Sequence, residues 1–304
     1  MSSSFDPALF EAAPSTINAE ALTRPSLSYW QASCLRFKKN KAAFFGLVLL
    51  SLLLFMAIVG PSLNSYTYYE NHLELKNHPP SINYWFGSDD LGRDLFTRVW
   101  YGARISLFVG ISAALIDLII GVLWGSIAAF SGGRIDEIMM RIADILYGLP
   151  YLLIVVLLMV VLGSGIIPII IALTVTGWVN MARIVRGQIL LLKKQEYVQA
   201  AILLGASFPR ILFRHLIPNA MSPILVTVTL TIPSAIFSEA FLSFLGLGIQ
   251  APIASWGTMA SDGLPALAYY PWRLFFPAFF ISLTMLAFNL IGDGMRDALD
   301  PKQR

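Results

Sequence analysis

The sequence predicts an all-α membrane protein with six transmembrane helices. Composition is the first reason. Of the 304 residues, 57% are hydrophobic and only 13% charged, against roughly 25% charged in soluble domains, and the mean hydropathy is +0.69. Apolar runs are the second. Six stretches approach the ~20 residues that a helix needs to cross a bilayer: 42–59, 105–130, 145–162, 166–182, 216–238 and 274–291. Charge asymmetry is the third. With the N-terminus inside, 16 of the 21 Lys and Arg residues fall in inner segments and five, Lys76, Arg93, Arg98, Arg104 and Arg273, in outer ones. That bias places both termini and residues 193–219 in the cytoplasm. The net charge of +3 is therefore a topological signal and gives no reason to expect nucleic acid.

Residues 1–41 read as a cytoplasmic tail. The first 35 are rich in Ser, Ala and Pro and are expected to be poorly ordered. They contain no basic start followed by an apolar core, so no cleaved leader is expected. The one cysteine, Cys34, excludes an intrachain disulfide and a cysteine metal cluster. Residues 42–62 form the first transmembrane helix.

A long outer loop, 63–104, follows. Its second half reads WFGSDDLGRDLFTRVWYGARISL. Asp89, Asp90, Arg93, Asp94 and Arg98 lie beside Trp85, Phe86, Trp100 and Tyr101, a mixture suited to the membrane interface. Two readings stand: an interfacial helix held by local ion pairs, or a surface that meets an extracytoplasmic partner.

The remaining spans occupy a core of five helices over 105–292. The second run is interrupted by Asp117 and carries Gly121 and Gly125, a spacing that permits close helix approach. Residues 131–150 place Ile135, Ile138, Met139, Ile142 and Ile145 at helical intervals, which predicts an amphipathic cytoplasmic surface helix leading into the third span. Only Gly163, Ser164 and Gly165 separate the third and fourth runs, so these form a tight hairpin. Asn180 and Arg183 are expected to brace the loop beyond them. The fifth run contains Pro218, Pro223 and Pro233 and ends beside Glu239. Residues 293–304 read as a cytoplasmic tail.

Residues 193–219, KKQEYVQAAILLGASFPRILFRHLIPN, are longer and more basic than a connector between membrane helices requires. A short helix from Glu196 is expected to stop at Gly205. Small residues at Ala200 and Ala201 leave room for a partner to approach. We read this stretch as a docking surface for another protein.

Several chemistries are excluded. No Gly-Lys pair exists, so the phosphate cradle of an ATPase is missing. The three histidines, His72, His78 and His215, avoid the span centres, which argues against an intramembrane enzyme or metal site. Ionisable residues within spans are costly and point to function; Asp117 and Glu239 are the two. Asp117 either faces a cavity that admits an amine or hydrogen-bonds a neighbouring helix. Glu239 is a gate or subunit-contact residue, or is interfacial.

Four strings also resemble the permease subunits of binding-protein-dependent ABC importers. The loop resembles their coupling pattern, E-A-A-x3-G-x9-I-x-L-P, through Gln199, Ala200, Ala201, Gly205, Ile217 and Pro218. Gln199 stands where Glu is usual and His215 where Ile is usual. The other three are the outer-loop string above, SEAFLSFLGLGIQAPIASWGTMASDG, and the ending NLIGDGMRDALDPKQR. All resemble the peptide-permease branch, with the oligopeptide permease C subunits nearest. The resemblance implies a type I ABC importer fold in a bacterial inner membrane. It implies a heterodimer with a second permease subunit, two cytoplasmic ATPase subunits that bind ATP and Mg, an extracytoplasmic peptide-binding protein, and no cofactor in this chain. Glu196, Gln199, Ala200, Ala201, Gly205, His215, Ile217 and Pro218 would couple to the ATPases. A dipeptide or nickel permease subunit is the alternative within the class; a passive channel or membrane scaffold is the alternative outside it.

Overall fold

The computed structural model describes residues 28–299, and its described residues are helical apart from turns and one isolated bridge between Ser88 and Asp94. Residues 1–27 and 300–304, including Arg24, Lys302 and Arg304 of the charge bias, lie outside the described residues. Five helices are long and apolar enough to cross a membrane; a sixth crossing results if one sharply bent pair counts as a single span.

The chain opens with α1 (Tyr29–Lys39), so disorder does not describe residues 29–35, and Cys34 sits exposed on a helix. Asn40 ends α1 and caps α2 (Lys41–Val59), its Oδ1 accepting from the backbone N–H of Ala42 and Ala43. The second membrane helix, α3 (Leu95–Ser131), starts ten residues before the apolar run does. At about 1.5 Å per residue its 37 residues reach well beyond a ~30 Å hydrocarbon core. Residues 95–104 are thus its outer end and not a separate interfacial helix. Asp94 caps it, accepting from Thr97 N–H at 2.8 Å and Thr97 Oγ1 at 2.7 Å.

Local ion pairs hold the outer loop against this end. Asp89 accepts from Arg93 Nε at 2.7 Å and lies 3.5 Å from Arg98 Nε. Arg273, from the far end of the chain, reaches Asp90 at 3.3 Å, the Asp262 carbonyl and Asn77. Burial pushes the Asp262 carboxyl above its ordinary value, against the opposing pull of Arg98.

The amphipathic segment is α4 (Gly133–Gly148), but the third apolar run does not continue it as one span. The chain turns by 86° into α5 (Tyr151–Leu162). The break follows from Pro150, which disfavours helical backbone at Leu149; Leu149 is extended. After the Gly163–Gly165 turn, α6 (Ile166–Leu192) runs ten residues past its apolar stretch. The charges that end the stretch are paired across the fold. Arg186 binds Asp136 of α4 through two bonds of 2.6 and 2.7 Å, and Arg183 binds Asp144 at 2.7 Å while lying over the Tyr147 ring. Arg183 therefore braces α4, not the loop beyond α6.

Beyond α6 come α7 (Glu196–Leu203), the short α8 (Phe208–Ile211), a widened π-helical turn (Leu212–Leu216) and α9 (Ile217–Phe244). The last three are continuous, so 208–219 is the base of the long helix that α9 completes, and only 193–207 is loop. A short helix, α10 (Trp256–Gly263), and the fifth long helix, α11 (Trp272–Leu299), complete the described residues.

The most extensive helix pairing is α3 with α6. Gly121 and Gly125 lie in this seam. A Cβ at Gly121 would stand 2.5 Å from Met181 Cβ; one at Gly125 would stand 3.0 Å from Arg186 N and closer to the Ala182 carbonyl oxygen. In a membrane, where packing rather than water exclusion joins helices, such small residues set how near the backbones come.

Candidate coupling loop and membrane cavity

The loop is built to hold its shape. α7 ends in a Schellman motif: Ala206 N–H donates to the Ala201 carbonyl at 3.0 Å and Gly205 N–H to that of Ile202 at 2.9 Å. The motif needs a left-handed residue, and Gly205 supplies it with φ +78°. Gln199 Nε2 donates to the Lys193 carbonyl at 2.7 Å. Val198 is buried among Ile189, Ile211, Leu212 and Leu216, and fixes α7 to the bases of α6 and α9. Lys193 Nζ donates to the Phe130 carbonyl at the end of α3, and the Phe130 ring lies 4.6 Å from that of Phe208.

The outward side is apolar. Leu203 and Leu204 are 86% and 87% exposed, next to exposed Tyr197 and Ala200 and half-buried Ala201. Glu196 opens α7 and is exposed. His215 lies in the π turn with its ring 6.4 Å from that of Tyr197, whereas Ile217 and Pro218 begin α9. Those three belong to the helix base, where His215 and Ile217 are half-buried and Pro218 is exposed.

Asp117 and Glu239 part company. Asp117 lines a cleft of about 460 Å³ between α3, α5, α6 and α9. Glu239 does not line it. It is wholly buried, so the interfacial and subunit-contact readings do not describe it. Its Oε2 accepts from Ser106 Oγ and its Oε1 from Ser243 Oγ, both at 2.9 Å, and Ser106 Oγ in turn accepts from Trp256 N–H. The carboxyl group thereby ties α3, α9 and the start of α10 together. Glu239→Leu leaves two buried hydroxyls without their acceptor, and is expected to destabilise the protein by on the order of 1–3 kcal/mol. Glu239→Gln keeps one acceptor oxygen and should lose less. Thermal unfolding in detergent checks the order; equal midpoints for wild type and both variants would refute it.

Among the described residues no group of three or more His, Cys, Asp or Glu could hold a metal ion.

Residues 121–304 match the family described as the binding-protein-dependent transport system inner membrane component. The chain belongs to this family. Residues 28–80 further match the N-terminal transmembrane domain of oligopeptide transport permease C. The permease is 62% identical over 297 residues to the oligopeptide transport system permease protein OppC of Bacillus subtilis, covering 97% of both chains. It is also 62% identical over 287 residues to the dipeptide transport system permease protein DppC of the same organism, covering 94% of this chain and 90% of that one. To the OppC protein of Escherichia coli K12 it is 43% identical, covering 94% and 95%. Its fold is that of an inward-facing methionine ABC transporter, MetNI, with a TM-score of 0.54 at 17% identity, covering 66% of this chain and 94% of that one.

The candidate coupling loop and Asp117 were visible in the sequence as a pattern and as an intramembrane charge. Tyr151 and Gly177, which also line the cleft, were not. Tyr151 looked like the interior of an apolar run, and a lone Gly carries no signal until its neighbour is known.

Proposed function

We propose that this permease is one of two membrane subunits of an ATP-driven importer of oligopeptides. It forms a shared translocation path with a second, different permease subunit. Two cytoplasmic ATPase subunits bind ATP and Mg and dock on its coupling loop, and an extracytoplasmic binding protein delivers the peptide. The observation that carries this reading is the exposed apolar face of α7, capped by Gly205 and rooted in the helix bases through Val198. A rigid helix presenting Leu203 and Leu204 to the aqueous side suits a partner's groove. The names of the relatives supply the peptide class. Purification through a tag on this chain should bring down two ATPase chains and a second permease chain. Its isolation as a single species would refute the assembly.

A dipeptide importer is the second reading, because the DppC relative matches as well as the OppC relative. Uptake of tetra-alanine as readily as di-alanine favours the oligopeptide reading; uptake of di-alanine alone favours the other.

The basic-residue bias orients the chain with both termini and the coupling loop in the cytoplasm of an inner membrane. A reporter active only in the cytoplasm should work when fused after Arg214 or Arg304 and be silent near Lys76 or Asp262. Activity at Lys76 would overturn this topology.

A further inference from the structure

The cleft beside α3 holds a carboxylate that the fold has gone to some length to accommodate. Asp117 is only 5% exposed, and its Oδ1 has no hydrogen-bond partner among the described residues. Its carboxyl group lies over Gly177 of α6. A Cβ there would stand 2.8 Å from Asp117 Cγ and nearer still to Oδ2, so the glycine keeps the position open. Burying a carboxylate is expensive when nothing pairs with it, and within a membrane span such a group points to a ligand or a pathway.

The surroundings say which ligand. Among the described residues, no other charged side chain lines the cleft. The polar groups around Asp117 are neutral, and several have already spent their one hydrogen atom. Thr227 Oγ1 donates to the Pro223 carbonyl, Thr231 Oγ1 to that of Thr227, and Ser234 Oγ to that of Leu230. What these hydroxyls offer the cleft is acceptor lone pairs. Tyr151 Oη–H and the Asn180 amide also line the cleft and can donate, but the cleft's one charge is the carboxylate, and with three accepting hydroxyl oxygens it suits a ligand with several donors and a positive charge. A primary ammonium has three donors and no acceptor. The cleft volume falls in the range of small-molecule sites.

We propose that Asp117 is a cation subsite that receives the protonated N-terminal amine of a peptide passing through the permease. This rests on the peptide-importer reading and adds a position and a charge to it. Asp117 pairs with the ammonium, and the Thr227, Thr231 and Ser234 oxygens accept its remaining hydrogens in turn. No covalent step is involved.

The test uses the assembled transporter in proteoliposomes, with Cys34 replaced by Ala and Ser234→Cys as a reporter in the cleft. The introduced thiol is modified in parallel by a cationic and an anionic methanethiosulfonate reagent. The cationic reagent is expected to react faster, and Asp117→Asn to reduce the cationic-to-anionic rate ratio about tenfold, as the loss of the one charge lining the thiol's cleft implies. Excess tri-alanine should protect the thiol from a neutral reagent, N-acetyl-tri-alanine should not, and Asp117→Asn should abolish the protection. An unchanged rate ratio, or equal protection by the two peptides, overturns the subsite. So does tri-alanine uptake without any protection. Because the rate ratio needs no peptide, it separates this proposal from the importer reading. A wild-type transporter that imports no peptide ends that reading and the ammonium assignment with it. Where Asp117→Asn does not assemble, Asp117→Glu keeps the charge and must keep the ratio; a tenfold fall there also overturns the proposal.

Discussion

Gly125→Leu is expected to abolish accumulation of folded protein in the membrane. The Cβ would approach the Ala182 carbonyl and Arg186 N, both backbone atoms of α6. A flexible side chain could swing away from such a clash; a helix backbone cannot. α3 and α6 must separate along their most extensive contact, and Leu adds three more carbons to be accommodated. Overpacking of tight sites typically costs about 1–3 kcal/mol and sometimes more. This site belongs at the upper end, because a second close approach, at Gly121 one turn away, is pulled apart with it. Gly187→Leu is the control, since nothing lies within 4 Å of a Cβ built there. Detergent extracts compared by size-exclusion chromatography should give a monodisperse peak for wild type and Gly187→Leu, and little folded material for Gly125→Leu. A normal peak from Gly125→Leu would show that the seam is looser than described.

Ala201→Arg and Gly205→Val are expected to leave insertion intact and abolish transport. Neither residue lies in a membrane helix. Ala201 is half-buried beside Leu203 and Leu204, in the area assigned to an ATPase contact. An arginine there places a long charged side chain in a contact from which water is removed, at a cost of several kcal/mol if it stays unpaired. Gly205 acts differently. At φ +78° a β-branched residue is a steric outlier, so valine breaks the turn that ends α7 and disperses the exposed leucines. The first variant spoils the contact and the second spoils the shape that presents it. The measurements are subunit ratio after purification and peptide-stimulated ATP hydrolysis. Wild-type values for both variants would reduce the loop to a connector.

The membrane helices were legible because apolar runs depend only on local composition. Their ends were not, because the charges that stop a run need not stop a helix. α6 continues through Arg183 and Arg186 since Asp144 and Asp136 neutralise them from 39 and 50 residues away. α3 begins ahead of its apolar run for a similar reason. Arg98 is held by Asp89 and the Tyr68 carbonyl, and Arg104 by the carbonyls of Ala57 and Ile58. The bend between α4 and α5 was written locally, in Gly148, Leu149 and Pro150, but the apolar run from Ile145 concealed it. Of the site residues, Asp117 was found because a charge in a span is conspicuous. Glu239 was found for the same reason and placed wrongly, since its serine partners come from 133 residues before it and four after.

The glycine seam also has a mechanical meaning. From Gly177, beneath the Asp117 carboxylate, to Leu192, where the proposed coupling loop begins, α6 runs 15 residues without a break, about 22 Å at 1.5 Å per residue. Along that length α3 is pressed against it with no side-chain cushion at Gly121 and Gly125. Close packing of the two backbones joins the helices into one unit. On the proposed docking of an ATPase at the loop, a displacement of the Leu192 end would be carried along α6 towards the Gly177–Asp117 contact, so loop and carboxylate would move together.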